Sequence, residues 1–268
     1  MTTASGSRPH RTPADLRTDL WLRRLTRSAD ARARLVCLPH AGGSANFFFP
    51  FADSLPATVE AYAIQYPGRQ DRRTEPCLTT VEELADAVYP VLRQGLPGLP
   101  LILLGHSMGA IVAFEVATRM EASGTGSPLG LIASGRRAPS IHTVETVHQR
   151  DDAGLVAEIR RLSGTDDALL DDPEIREMLL PALRADYRAI ETYPGPAGPP
   201  LNCPVSVFVG DDDPRVSLDE ADAWRHHTQG DFARHIFPGG HFYLRDSPRE
   251  FTTTLTRELS RLCGSTAP

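Results

Sequence analysis

The 268-residue sequence predicts an α/β fold on a mainly parallel sheet, from two observations. Short apolar runs alternate with helical patterns along the chain. Several of those runs are apolar at consecutive positions, as strands covered by helices on both faces must be. A hydrophobic share of 41% is enough for one large core, and a single domain over 1–268 is the expected organisation.

The strand candidates, in order, are DLWLRR (19–24), RLVCLPH (34–40), VEAYAIQY (59–66), PLILLGH (100–106), PLGLIASG (128–135), PVSVFVG (204–210) and FARHIF (232–237). Helical patterns lie between them: VEELADAVYPVL before the fourth, MGAIVAFEVATRMEA after it, SLDEADAWRHH after the sixth and SPREFTTTLTRELSRL near the end. Residues 138 to about 198 break the alternation with helices alone, which suggests a lid over the strand ends. Its clearest helix starts at Asp172–Pro173, an N-cap with proline at the first helical position, and Pro181 is expected to interrupt and kink it. Residues 1–17 read as a disordered polar tail without the apolar core of a signal sequence.

Composition narrows the function. Net charge is −6, and the only run of like charge is Asp211–Asp212–Asp213, so neither nucleic acid nor a membrane surface is an expected partner. All 28 basic residues are arginine, which excludes Schiff-base lysine chemistry and a phosphate-loop lysine. Cys37, Cys77, Cys203 and Cys263 show neither metal nor disulfide spacing. No apolar stretch reaches 18 residues, and a cytoplasmic location is expected.

The strongest chemical signal is LLGHSMGA (103–110), where Gly105-His106-Ser107-Met108-Gly109 fits G-x-S-x-G between a strand and a helix. That context lifts Ser107 on a sharp turn as a nucleophile. A serine needs a base, and the base needs an orienting carboxylate, in the chain order Ser, Asp or Glu, His. Of nine histidines, His241 in FPGGHFYL stands on a loop beyond the last strand candidate, freed by Gly239 and Gly240. The acid belongs after the preceding strand, where the aspartate triplet sits. Asp213, held extended by Pro214, is favoured over Asp211 and Asp212, for which a solvated turn suffices. The oxyanion needs two backbone N–H donors, Met108 and, from PHAGGSANFFFP (39–50), Ala41. Phe47, Phe48, Phe49 and Phe51 could line an acyl channel.

Taken together, LVCLPHAGGSANFFFPF, YPGR (66–69), GHSMGA, ALRADYRAIETY (182–193), GDDDPRV and FPGGHFYL resemble the stand-alone (type II) thioesterases of polyketide and nonribosomal peptide synthases. They occur in family order over nearly the whole chain after about residue 20. The resemblance implies an α/β-hydrolase with a helical lid that hydrolyses acyl thioesters on the phosphopantetheine arm of carrier proteins, clearing stalled or wrongly loaded units. It implies Ser107 as nucleophile, His241 as base and Asp213 as orienter. No cofactor or metal is expected, the partners would be acyl or peptidyl carrier proteins, and a monomer is expected. An acyl-coenzyme A thioesterase or a carboxylester hydrolase would use the same triad. A non-enzymatic binding protein would need a broken one.

Overall fold

In the computed structural model, which describes residues 17–124, 126–162 and 170–264, seven strands form one sheet. They are β1 (Leu22–Arg24), β2 (Ala33–Leu38), β3 (Val59–Ile64), β4 (Leu101–His106), β5 (Gly130–Ser134), β6 (Val205–Gly210) and β7 (Phe232–Phe237). Their order is β1-β3-β2-β4-β5-β6-β7, and every pairing is parallel except β1 with β3. All seven expected strands are present, but the first is shorter than read. Residues Thr18–Trp21 form a helical turn, and only Leu22–Arg24 pair with Tyr62–Ile64. The expected tail lies, up to residue 16, outside the described residues.

The consecutive apolar positions have a plain cause: each face of the sheet has its own core. Val36, Leu38, Ile64 and Leu103 pack on one side under α1 (Val81–Gly95) and α2 (Met108–Ala122). Leu35, Cys37, Ala63 and Ile102 pack on the other, with Phe251, Leu255 and Leu259 from the C-terminal helix, Pro248–Leu262. Helix α1 begins with a capping box, in which the Thr80 hydroxyl accepts from the Glu83 N–H and the Glu83 carboxylate accepts from the Thr80 N–H. The SLDEADAWRHH pattern forms only a short helix, Leu218–Asp222, that tightens into a 3-10 turn at Ala223–His227.

Between β5 and β6 the described residues hold no strand. Helix α3 (Asp152–Leu162) and helix α4 (Pro173–Glu191) form a third apolar cluster from Leu155, Val156, Ile159, Leu183 and Tyr187, joined by Val147 of the preceding 3-10 turn. The Asp172 side chain caps α4 by accepting from the N–H groups of Glu174 and Ile175. Contrary to expectation, Pro181 does not interrupt α4, which runs on to Glu191. Pro181 and Glu177, whose carbonyl the proline leaves without its helical partner, both lie on the exposed side of the helix. No helix among the described residues is long and apolar enough to cross a membrane.

The C-terminal helix is pinned to β6 by a buried carboxylate. Burial opposes ionisation of Glu258, but His235, Arg261 and the Ser206 hydroxyl outweigh it and hold the group at about 2. A carboxylate depressed below its unfolded value contributes stability above pH 4.5 and loses it as pH falls towards 2. Denaturant unfolding should therefore show an acid-dependent loss over that window, on the order of 1–3 kcal/mol from this group. Glu258→Gln should be less stable at pH 7 and should lack that component; an unchanged acid profile would contradict the assignment.

Candidate active site

Strand β4 ends at His106 and α2 starts at Met108, so the whole reversal falls on Ser107. Its backbone sits at φ 55°, ψ −118°, a region that costs a non-glycine residue about 1–3 kcal/mol. Neighbouring hydrogen bonds hold it there: the Ser107 N–H donates to the Ser134 carbonyl at 2.7 Å, and the Ala110 N–H to the Ser107 carbonyl at 3.0 Å. The flanking glycines are required by close approach. A Cβ on Gly105 would lie 2.1 Å from the Gly109 carbonyl oxygen, and one on Gly109 would lie 2.1 Å from that of Leu38.

The serine meets the other two expected residues. The Ser107 hydroxyl donates to His241 Nε2 at 2.9 Å, and His241 Nδ1–H donates to Asp213 Oδ2 at 2.8 Å. The Asp213 carboxylate is fully buried and also accepts the Arg215 N–H at 2.8 Å. Asp211 has a local task that the sequence reading did not assign: its side chain accepts the Gly239 N–H at 2.9 Å, bracing the loop that carries His241. Asp212 contributes its backbone N–H to the Gly239 carbonyl at 3.0 Å.

Ala41 and Met108 line the same small cavity as Ser107 and His241. The Ala41 N–H has no backbone acceptor among the described residues, and Met108 opens α2, where the first N–H groups lie beyond the helix's own carbonyls. The Ala41 loop is fixed from the far side by α4. Asp186, fully buried, accepts the Gly42 N–H at 2.7 Å and a bidentate pair from Arg69 at 2.6 and 2.9 Å. Arg69 also donates to the Gly43 carbonyl, and a Cβ on Gly42 would lie 2.5 Å from Leu183 of α4. Sequence reading picked out the segments containing Arg69 and Asp186 without giving either residue a role. No local feature of either motif marks the two as partners.

Beside the serine lies a small cavity of about 50 Å³, walled by Ile159, Leu162, Leu179, Leu183, Tyr187 and Phe242. These are largely residues of α3 and α4. The phenylalanine run does not line it: Phe48 and Phe51 are buried under the sheet, and Phe49 is 46% exposed. Phe47 stacks on His106 instead. His40 at the cavity wall is driven down to about 3 by burial, with His241, Arg245 and Arg69 adding repulsion, so it is neutral at physiological pH.

Helix α3 is tied to the acid loop by Glu158. Burial opposes its ionisation, but Arg161 and Arg215 hold it at about 2. Arg215 also pairs with Glu145 at 2.9 Å, and Arg137 pairs with Glu145 at 3.3 Å and Glu220 at 3.6 Å. Their neighbour Arg136, also absent from the sequence reading, lines the Ser107 cavity.

Removing one partner of a buried ion pair leaves the other charge uncompensated. Asp186→Ala should therefore cost about 3–5 kcal/mol in urea unfolding, whereas Asp186→Leu combined with Arg69→Met should cost clearly less than the sum of the two single changes. Simple additivity would show that the two side chains are not coupled.

Comparison with known proteins agrees with this geometry. A family model described as "Thioesterase domain" matches residues 33–259. The thioesterase PikA5 of Streptomyces venezuelae is 48% identical over 247 residues, 92% of this chain and 88% of that protein. The type II thioesterase BorB from the borrelidin biosynthetic cluster superposes with a TM-score of 0.83 at 45% identity, covering 90% of this chain and 98% of its own. The RedJ thioesterase from the prodiginine pathway of Streptomyces coelicolor superposes with a TM-score of 0.81 at 35% identity, covering 96% of each chain. The chain belongs to the thioesterase family and has the α/β-hydrolase fold of the type II thioesterases of polyketide and nonribosomal peptide pathways.

Proposed function

We propose that this thioesterase hydrolyses acyl groups from the phosphopantetheine arm of carrier proteins, through an acyl-enzyme on Ser107. The observation that carries the reading is the continuous relay from the Ser107 hydroxyl through His241 to the buried Asp213 carboxylate, beside an apolar cavity. His241 Nε2 takes the hydroxyl proton as Ser107 Oγ bonds to the thioester carbon. Asp213 keeps the ring in the tautomer that leaves Nε2 free to do so. The developing oxyanion points at the Ala41 and Met108 amides. Collapse breaks the carbon–sulfur bond, and the imidazolium returns its proton to the leaving pantetheine thiol. Water then enters, His241 removes one of its protons as the oxygen bonds to the acyl carbon, and collapse breaks the bond to Ser107 Oγ, which takes the proton back from the imidazolium as the free acid leaves.

The apolar walls supplied by α3 and α4 suit a hydrocarbon acyl group, and these two helices serve in this reading as a lid; residues 163–169 of the expected lid segment lie outside the described residues. The chemistry calls on no resident cofactor or metal. The role is an editing one, releasing acyl or peptidyl units from a synthase in the cytoplasm, with the enzyme acting as a monomer on carrier domains.

Hydrolysis of a panel of acyl-loaded carrier proteins, set against the matching coenzyme A thioesters and oxyesters, tests the substrate class. The carrier-bound series should give the highest kcat/KM. Coenzyme A esters turned over equally well would point to a free acyl-coenzyme A thioesterase, and oxyester preference to a carboxylester hydrolase. Ser107→Ala should abolish release while leaving the thermal unfolding curve cooperative. Asp213→Asn should lower kcat by about 10³–10⁴-fold. Asp211→Asn should cost far less, because its contact is to a backbone N–H of the histidine loop. A reversed order between the two aspartates would overturn the assignment.

A further inference from the structure

Arg215 is where the triad acid and a wall of the acyl cavity meet. It lies two positions beyond Asp213, and its amide N–H donates to Asp213 Oδ1 at 2.8 Å, closing an Asx turn over Pro214. Asp213 Oδ2 makes the shorter of the two bonds to His241 Nδ1, so the amide fixes the carboxylate by its other oxygen. Any residue but proline would supply the same amide. What the arginine side chain adds is where that amide stands.

That side chain is buried and held from several elements. Its guanidinium donates to Glu158 Oε1 of α3 at 2.5 Å and to Glu145 Oε1 at 2.9 Å, and it lies 5.6 Å from the centre of the Tyr187 ring of α4. The Arg215 carbonyl accepts from Arg137, just after β5, at 2.7 Å. Glu158 is followed directly by Ile159 and, one turn on, by Leu162, the two α3 residues that wall the cavity beside the serine. Tyr187 and Arg215 line the serine cavity itself. Glu158 also pairs with Arg161 at 2.7 Å and Arg150 at 3.2 Å. Arg161 belongs to α3 and Arg150 to the turn before it, so those pairs stay within the helical segment. The pair with Arg215 is the one that seats α3 on the acid loop.

We infer that Arg215 is a positioning residue for the reaction: its side chain carries the seat of α3 to Asp213, so that alignment of the acid on His241 depends on how the helix walling the acyl cavity is seated. The link runs from the Glu158 carboxylate through the guanidinium to the residue 215 amide, then to the Asp213 carboxylate and the imidazole. This inference rests on the thioesterase reading above and adds to it a residue that acts through Asp213.

The test compares Arg215→Gln with Arg161→Gln, each of which removes one cation from Glu158. Arg215→Gln should lower kcat on a butyryl-loaded carrier protein by at least about tenfold with KM changed less than about threefold, because small misplacements of catalytic groups act on the chemical step. Arg161→Gln, at a half-exposed pair within one helix, should keep kcat within about twofold of wild type. The low-field proton resonance of His241 Nδ1–H reports its bond to Asp213. It should shift upfield or vanish in Arg215→Gln and stay in place in Arg161→Gln. An arginine that only stabilised the fold would leave this resonance unmoved in the folded variant. A smaller fall in kcat, a fall shared equally by Arg161→Gln, or an unmoved resonance overturns the assignment. Should Arg215→Gln fail to fold, Glu158→Gln decides on the same two readouts, since it loosens the same link and leaves Arg215 its pair with Glu145. A wild-type enzyme that releases no acyl group defeats the thioesterase reading, while the proton resonance, which needs no substrate, still decides the link.

Discussion

The bidentate pair between Arg69 and Asp186 is the contact on which the catalytic end of the molecule depends. It joins three segments distant in the chain: the loop after β3, the loop after β2 that carries Ala41, and α4. Both charges are almost wholly removed from water, so the pair is tolerable only with its full set of hydrogen bonds. Asp186 spends one of those bonds on the Gly42 amide, next to the proposed oxyanion donor Ala41. The placement of that loop and the packing of α4 are thus one structural fact.

Around that fixed point the sheet supplies the rest by close approach. Strand β4 reaches α2 through a turn that admits no Cβ at Gly105 or Gly109, and the strain at Ser107 is held by the Ser134 carbonyl. Strand β6 delivers Asp213, and the loop after β7 delivers His241, with Asp211 bracing the glycines between. Each member of the relay comes from a different strand end, which is where ligands bind in open parallel sheets. The chemistry is set by where the strands stop.

What the sequence disclosed and what it hid follow from range. The strands were legible because both faces of the sheet are covered, which makes Val36 and Leu35, on opposite faces, both apolar. The elbow was legible because steric need writes glycine on either side of Ser107. His241 and Asp213 followed from chain order and from elimination among few candidates. The Arg69–Asp186 pair spans 117 positions, and no local pattern announces a partner at that distance. The phenylalanine run misled because aromatic residues serve a core as readily as a channel, and the cavity walls come from helices whose facing could not be known before they packed. The first strand shortened because its pairing with β3 ends at Leu22.

The central claim is that the strained serine at the end of β4 is acylated by a carrier-bound thioester before water completes the reaction. Rapid quenching of the enzyme with a stoichiometric acyl-carrier protein, followed by peptide mass mapping, reads this directly. The account predicts a transient acyl mass on the peptide containing Ser107, formed at least as fast as free acid appears. Free acid released with no acylated enzyme peptide, or an adduct on another residue such as Cys77, would contradict it.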